Sequence, residues 1–335
     1  MLRKTAWLVL LVLLLGGCSK GELLENFSGP VDPESTELVT VVIPSGTAVD
    51  GISEILFEQG LIQNRLVFKE MARETGYDTK LQAGEYALSP AMDLKTILEK
   101  IARGDVVTHT VKFTVPEGYE LVRIIEKMVA AGFGTEAEIV EILRSGTFDY
   151  PFMDHIDRTF MLEGFLFPET YTFKEDATPY EVIDTMLAQF DRVFKADYYD
   201  RLGELDMDLN QIVTLASIIE REAKLDEERA LIASVFHNRL GSGIKLESCA
   251  TVQYVLGERK AELTYEDVAI ESDYNTYKYP GLPPGPIASP GEKSLVAALY
   301  PADTDYFFFV VKDEVEGSHY FNATYREHLD DQNRD

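Results

Sequence analysis

One acidic residue, Glu220, lies on the apolar side of a predicted helix. Residues 208–223 (DLNQIVTLASIIEREA) place apolar side chains at helical spacing. Asp208 followed three residues later by Gln211 predicts a capping box at the start of this helix. On a helical wheel Glu220 falls about 80° from Ile212, inside the apolar arc. The pattern therefore predicts a carboxylate that the fold shelters from water.

A sheltered carboxylate is a candidate general acid. Burial disfavours the charged form of a glutamate and raises its pKa, so it can hold a proton near neutral pH and donate it to a leaving oxygen. The alternative is a structural glutamate that pairs with Arg229 or Arg239, or that reaches the surface. Geometry alone leaves both interpretations open, because paired structural carboxylates show the same pattern.

The other polar residues of this helix are predicted to face away from the apolar arc. Glu222 falls at the margin of the arc, which makes it the main competitor of Glu220. The wheel places the following residues on the polar side: Thr214, Ser217, Arg221 and Lys224.

Composition limits the possible functions. The chain has 335 residues, enough for two domains, and its hydrophobic fraction of 45% is typical of a globular protein. Its 31 Lys and Arg against 58 Asp and Glu give a net charge of −27. Such an acidic chain is not expected to bind a phosphate backbone, so nucleic acid is excluded as a partner.

Cysteine and histidine do not indicate a metal site or a disulfide framework. The chain has two cysteines, Cys18 and Cys249, and five scattered histidines. No pair of histidines has the spacing of a helical or finger-type site. We expect no structural zinc and no cofactor.

The N-terminus has the pattern of a membrane-targeting segment. Arg3 and Lys4 precede an apolar run that is shorter than the ~20 residues of a usual spanning helix. The following Leu-Gly-Gly-Cys resembles a bacterial lipoprotein signal, with Cys18 as the lipidated residue. The alternative is an uncleaved anchor over residues 2–17, and both place the bulk of the chain outside the cytoplasm. Residues 18–37, rich in Gly, Ser, Pro and acidic residues, are predicted to be a linker.

Two segments 72 residues apart share one pattern. Residues 42–60 and 114–132 each predict a strand, a Pro-x-Gly turn, a short amphipathic helix and a glycine stop. Residues 84–104 form a weaker third piece, with a strand and an amphipathic helix. Residues 38–108 resemble a LysM-like βααβ module, which binds glycans that contain N-acetylglucosamine. A generic α/β packing unit is the alternative for this segment.

Six motifs follow one another in the second half of the chain. In order they are LASIIERE (215–222), VFHNRL (235–240), ATVQY (250–254), YNTY (274–277), GLPPGPI (281–287) and SPG (289–291). Together they resemble the YceG-like, or MltG, family of endolytic murein transglycosylases. The resemblance runs from the N-terminal anchor to near the C-terminus. One departure is the lipoprotein-like leader, since the family resemblance implies a spanning helix.

The resemblance implies an activity and a catalytic residue. Members are anchored in the membrane, face the periplasm or cell exterior, and cleave nascent peptidoglycan strands. The catalytic glutamate of the family motif matches Glu220. It is expected to protonate the bridging oxygen of a β-1,4 bond and then take a proton from the muramoyl 6-hydroxyl, which leaves a 1,6-anhydro end. The resemblance also suggests work beside peptidoglycan synthases, including control of chain length.

We expect no second carboxylate beside Glu220. Ordinary glycosidases use two carboxylates, whereas a lytic transglycosylase uses one glutamate and no water. The nearest candidate partner in the sequence is Asp226, which could equally be a surface or capping residue.

Tyrosines and amides of the later motifs are candidates for sugar binding. Flat apolar rings and hydrogen-bonding edges are what a sugar ring needs. For each, packing or a turn hydrogen bond is the alternative. The predicted substrate-binding residues are Asn238, Gln253, Tyr254, Asn275, Thr276 and Tyr277, with Tyr274 as a further aromatic face.

The predicted architecture is α+β. A signal or anchor (1–17) and a linker (18–37) precede a small LysM-like domain (38–108) and a larger mixed α/β catalytic domain (109–335). The leading function is a lytic transglycosylase. The alternatives are a hydrolytic muramidase on the same substrate and a non-enzymatic peptidoglycan-binding protein.

Overall fold

A computed structural model describes residues 20–313 and 315–334, and it divides into two compact units. The first unit ends at His109 and the second begins at Thr110, next to the boundary predicted after residue 108. The expected anchor (1–17) and Cys18 lie outside the described residues. Within the part of the chain that is described, we find no helix with the length and apolar character needed to cross a bilayer.

The first unit consists of a two-stranded sheet covered by helices. Strands β1 and β2 are antiparallel, with Val39 opposite Leu88 and Ile43 opposite Gly84. Its core is apolar and includes the fully buried Leu56, Phe68 and Tyr86. The elements are α1 (Lys20–Phe27), β1 (Val39–Ile43), α2 (Val49–Glu58), α3 (Arg65–Thr75), β2 (Gly84–Leu88) and α4 (Leu94–Arg103).

The segment predicted as a linker contains structure. Helix α1 lies within residues 18–37, and Leu24 packs against the core of the first unit. Farther along, the Asp32 amide donates to the Pro90 carbonyl oxygen (3.0 Å) and the Ser28 carbonyl oxygen accepts from Leu94 (2.9 Å). Composition alone did not indicate these contacts, because they depend on residues far along the chain.

The second unit begins with the same order of elements and continues as a helical assembly. Strands β3 and β4 are antiparallel, with Thr110 opposite Lys174, and a later hairpin pairs β5 with β6. The elements are β3 (Thr110–Thr114), α5 (Leu121–Ala130), α6 (Glu136–Ser145), β4 (Thr170–Lys174), α7 (Pro179–Val193), α8 (Ala196–Leu205), α9 (Leu209–Glu222), α10 (Arg229–Gly241), α11 (Cys249–Leu256), α12 (Tyr265–Val268), α13 (Glu292–Leu299), β5 (Phe308–Asp313), β6 (Ser318–Asn322) and α14 (Tyr325–Gln332). This mixture of helix and strand confirms the α+β class.

The predicted repeat is confirmed as strand, turn, helix and glycine stop in both copies. Gly46 and Gly118 occupy the turns with φ of +79° and +72°, and Gly60 and Gly132 follow the helices with φ of +69° and +83°. Positive φ is readily adopted only by glycine, which explains why both turns and both stops keep it. The third piece is also confirmed, as β2, α4 and the left-handed Gly104.

Helix α9 is the central helix of the second unit. Its predicted capping box is confirmed, since Asp208 accepts from the Gln211 amide (2.8 Å) and the Gln211 side chain accepts from the Asp208 amide (2.8 Å). The helix packs against α8, α10, α11 and α13, so it is buried all round rather than along one stripe.

The expectation of a polar side at Thr214 and Ser217 is therefore wrong. Both residues are buried. Ser217 Oγ donates to the Thr214 carbonyl oxygen (2.7 Å) and accepts from the Ile287 amide (3.0 Å). A hydroxyl satisfied in this way can be buried at little cost, which a hydropathy wheel does not register.

Candidate active site

Glu220 lies in the last turn of α9 and is sheltered from solvent. Its side chain is only 6% exposed. Oε2 accepts from the Gly291 amide (3.0 Å) and from Ser294 Oγ (2.7 Å), and Oε1 accepts from Arg229 Nη1 (3.4 Å). These three donors hold the carboxylate in one orientation.

The start of α13 supplies two of these donors. Gly291 is the residue before the first turn of α13, where backbone N–H groups have no partner within the helix. The positive end of the helix dipole favours a carboxylate at this place. Ser294, which is buried, donates to Glu220 and accepts from Arg229 Nη1 (2.7 Å). The loop before α13 and its first turn therefore position Glu220.

Arg229, the first residue of α10, shares its charge between two carboxylates. Besides Glu220 it contacts Asp226 Oδ1 through Nε (3.2 Å). Asp226 is also bonded by Lys293, and the hydrogen bonds from Lys293 and Arg229 lower the pKa of Asp226. The pairing with Arg229 that the sequence left open is thus present. A cavity of about 320 Å³ lies next to these charged side chains and is lined in part by Arg229 and Lys293.

The other arginine considered from sequence, Arg239, does not pair with Glu220. Its guanidinium donates to the carbonyl oxygens of Phe307 (2.6 Å) and Leu246 (3.0 Å) and to Glu247 Oε2 (3.2 Å). Arg239 therefore joins α10 to the residue that precedes β5 and to the segment before α11.

The Pro-Glu-Gly turn of the second repeat copy packs on the last turn of α9. The Gly118 amide donates to the Ser289 carbonyl oxygen (2.8 Å), and the Ser289 amide donates to the Tyr119 carbonyl oxygen (2.8 Å). A methyl group added to Gly118 would lie 3.6 Å from Glu220 Cγ. The turn and the SPG motif thus form one backbone-bonded wall beside Glu220.

This wall brings a second carboxylate next to Glu220, contrary to the sequence expectation. A Cβ atom on Gly291 would lie 1.9 Å from Glu117 Oε1, so Glu117 rests against the glycine whose amide binds Glu220. Partial burial, followed by the negative charge of Glu220, raises the pKa of Glu117. The wheel missed this residue because it belongs to another element, 103 positions earlier in the chain.

Glu222 occupies a different place from Glu220. Its Oε1 accepts from Ser248 Oγ and from the Ala250 amide (3.5 Å), at the start of α11. It lines a separate cavity of about 470 Å³ together with Cys249 and Tyr277. The two glutamates of the E-x-E pair thus point to different parts of the second unit.

Tyr254 is hydrogen-bonded to Glu163, a buried glutamate that is not among the site residues predicted from the sequence. Its hydroxyl donates to Glu163 Oε2 (3.2 Å), and its ring lies 5.1 Å from that of Tyr274. Both oxygens of Glu163 accept from the Leu121 amide (3.0 Å each). Burial raises the pKa of Glu163 to about 8. Glu163 lies in the aromatic-rich segment 162–171 (LEGFLFPETY), and this position was the signal available in the sequence.

Asn275 and Thr276 hold the YNTY loop together. Asn275 is fully buried, and its Nδ2 donates to the Val268 (3.0 Å) and Ile270 (2.8 Å) carbonyl oxygens. Thr276 Oγ1 accepts from the Ser248 amide (3.0 Å). Their polar groups are occupied within the protein, which favours a role in shaping the loop.

The remaining predicted sugar-binding residues are dispersed. Tyr277 is half-buried, with its hydroxyl 3.0 Å from Cys249 Sγ. Gln253 Nε2 donates to the Lys260 carbonyl oxygen (3.0 Å). Asn238 Nδ2 donates to the Thr304 (2.9 Å) and Tyr306 (2.8 Å) carbonyl oxygens. None of these bonds reaches Glu220, so these residues stay predictions.

Residues 20–313 and 315–334 contain no group of three or more His, Cys, Asp or Glu side chains arranged to hold a metal ion. The chemistry available at Glu220 from the described side chains is proton transfer and electrostatic stabilisation.

Comparisons with known proteins are consistent from one end of the described chain to the other. A model of the YceG-like family matches residues 41–334. A Bacillus subtilis protein named endolytic murein transglycosylase is 34% identical over 312 residues, which cover 89% of this chain and 85% of the relative. A protein of the same name from Streptococcus pneumoniae D39 is 32% identical, covering 96% of this chain and 63% of the relative. The crystal structure of a YceG-like protein from Listeria monocytogenes is 36% identical with a TM-score of 0.59, and the match covers 90% of this chain and 100% of that one.

Proposed function

The chain belongs to the YceG-like family, and we propose that it is an endolytic peptidoglycan lytic transglycosylase with Glu220 as its general acid and base. The proposed bond is the β-1,4 linkage between N-acetylmuramic acid and N-acetylglucosamine. The names of the Bacillus and pneumococcal relatives support this activity. The observation that carries the assignment to Glu220 is its sheltered carboxylate, oriented by Gly291, Ser294 and Arg229 beside the Pro-Glu-Gly turn.

The proposed reaction needs one proton carrier and no water. Glu220 gives its proton to the bridging oxygen, and the bond from that oxygen to muramoyl C1 breaks with its electron pair on the oxygen. The 6-hydroxyl oxygen then bonds to C1, and its proton returns to Glu220. Holding this hydroxyl close to C1 is a proximity effect, and exclusion of water prevents hydrolysis.

The second candidate function is a hydrolytic muramidase. Glu117 supports it specifically, because glycosidases use a pair of carboxylates on the two sides of the scissile bond. A third candidate, a binding protein without activity, has no specific support at Glu220.

The products distinguish these candidates. Purified glycan strands are incubated with the protein, and the new ends are identified by mass spectrometry, in which an anhydro end is lighter than a free reducing end by one water. We expect 1,6-anhydro ends. Free reducing ends would establish the muramidase, and unchanged strands would leave only a binding role.

The remaining parts of the proposal concern the first unit and the N-terminus. We infer that residues 38–108 act as a LysM-like glycan-binding domain, supported by the βααβ order of β1, α2, α3 and β2. Residues 1–17 and Cys18 would anchor the protein in the cell membrane, with the bulk of the chain outside the cytoplasm. An enzyme held there would meet new strands beside the peptidoglycan synthases and would be placed to terminate their polymerisation.

A further inference from the structure

The Pro-Glu-Gly turn gives Glu117 a fixed place beside Glu220. Gly118 of the turn and the following Tyr119 both form backbone hydrogen bonds with Ser289. Glu117 Oε1 also lies against Gly291, whose amide donates to Glu220 Oε2. A single glycine therefore separates the two carboxylates.

Glu117 differs from Glu220 in having no protein partner. Among residues 20–313 and 315–334, no hydrogen bond or ion pair engages its carboxylate, and the residue is exposed. All three bonds of Glu220 are made to Gly291, Ser294 and Arg229. Glu117 is therefore the carboxylate of this pair that is free to contact a ligand.

The charges around Glu117 come from four further elements. Glu220 in α9 and Asp226 in the short turn after it are negative, whereas Arg229 in α10 and Lys293 in α13 are positive. Burial and Glu220 raise the pKa of Glu117, and the two cations oppose this rise. No described cation is close enough to neutralise Glu117 by direct pairing.

The internal repeat shows that a turn of this shape does not require a glutamate. The first copy has Ser45 at the position equivalent to Glu117, between the matching Pro44 and Gly46. Both turn glycines have similar φ values, +79° for Gly46 and +72° for Gly118. The carboxylate at position 117 is thus not needed to form the turn.

We propose that Glu117 is a second catalytic carboxylate of the Glu220 site, which contacts the muramoyl ring and stabilises the positive charge that develops at its C1 atom. This inference rests on the proposed function. Glu117 forms no covalent bond and stays ionised. Glu220 still carries the proton to the leaving oxygen and receives it back from the 6-hydroxyl. A negative charge placed next to a developing positive charge in a partly desolvated site is an effective electrostatic contribution.

The test compares Glu117→Gln and Glu117→Asp with the wild type on purified glycan strands. Glu126→Gln is the matched control, because it removes one exposed carboxylate from the helix that follows the turn. We expect Glu117→Gln to lower kcat about 10- to 100-fold with little change in KM. Glu117→Asp keeps the charge and is expected to retain more activity than Glu117→Gln.

The pH profile separates a catalytic from a structural role. Because Glu117 must be ionised and its pKa is raised, wild-type kcat should rise with pH above 4.5 as the carboxylate loses its proton. Glu117→Gln should lack this acid limb. Wild-type kcat in Glu117→Gln, or a reduced kcat with the acid limb unchanged, would overturn the proposal. Glu220→Gln, assayed in parallel, reports on the proposed function separately.

Discussion

Glu220 and Glu163 are both sheltered carboxylates, but their hydrogen-bond partners differ. Glu220 accepts bonds from a backbone amide, a hydroxyl and an arginine. Within the described residues Glu163 has no cation among its partners, which are the Leu121 and Gly164 amides and the Tyr254 hydroxyl, and burial raises its pKa to about 8. Glu163 therefore stays protonated in the folded state at neutral pH.

Glu163 predicts a pH dependence of stability. Between pH 4.5 and about 8 the folded state keeps this proton and the unfolded state loses it, so the free energy of unfolding falls as pH rises and levels off above 8. Glu163→Gln should remove this fall, which is on the order of 5 kcal/mol at most. Urea unfolding from pH 4.5 to 9 measures it, with Glu126→Gln as the control. An identical pH dependence in wild type and Glu163→Gln would contradict this assignment.

Gly291→Ala offers a second way to disturb Glu117 without removing a charge. Gly291 has φ −75° and ψ 169°, which alanine adopts, and its amide is retained. The new Cβ would overlap Glu117 Oε1 (1.9 Å) and Cδ (2.4 Å), so the exposed end of that side chain must move. We expect a kcat close to that of Glu117→Gln and a melting temperature close to wild type. Full activity would show that the position of Glu117 is unimportant.

At the scale of elements, the sequence predicted features that depend on neighbouring residues better than it predicted contacts between distant segments. The capping box of α9 and both copies of the repeat depend on residues close in sequence, and they are confirmed. The neighbourhood of Glu220 depends on α13, α10 and the turn before α5, which are far apart in the chain. The wheel therefore identified Glu220 as sheltered but could not find Ser294 or Glu117.

The burial of α9 on all sides has the same origin. A wheel assumes one apolar face, whereas α9 lies among other helices and the GLPPGPI segment. Ser217 and Thr214 are small enough to fit, and the Ser217 hydroxyl donates to the Thr214 carbonyl oxygen. Their polar character alone therefore predicted the wrong side of the helix for them.

Ser217→Ala should loosen the GLPPGPI segment from α9. The change removes the only side chain seen to accept from the Ile287 amide within the described chain, and Ile287 is fully buried. An unsatisfied buried donor costs about 1–3 kcal/mol. Denaturant unfolding measures the loss, and the product should remain an anhydro end.

Ser145→Ala is the control for this prediction. Its hydroxyl also donates to a helical carbonyl, that of Glu141 (2.9 Å), but in an exposed position. We expect a change below about 0.5 kcal/mol there. Equal losses in the two variants would mean that the Ile287 bond contributes nothing specific.

At the scale of the whole molecule, each unit has its own apolar core. Calorimetry is expected to show two unfolding transitions. Leu56→Ala, in the core of the first unit, should destabilise one transition by about 2–5 kcal/mol and leave the other in place. Glu163→Gln should affect only the other transition. One cooperative transition that both variants shift would contradict this division.

The assignment of proton transfer to Glu220 is the central claim, and paired glutamine variants test it most directly. Glu220→Gln and Glu222→Gln remove one carboxyl each from the last turn of α9, and only the first lies beside Gly291 and Ser294. Release of 1,6-anhydro ends from purified strands is measured for both. We predict a loss of at least about 10²-fold for Glu220→Gln and near wild-type release for Glu222→Gln. Wild-type release by a folded Glu220→Gln protein would contradict the account.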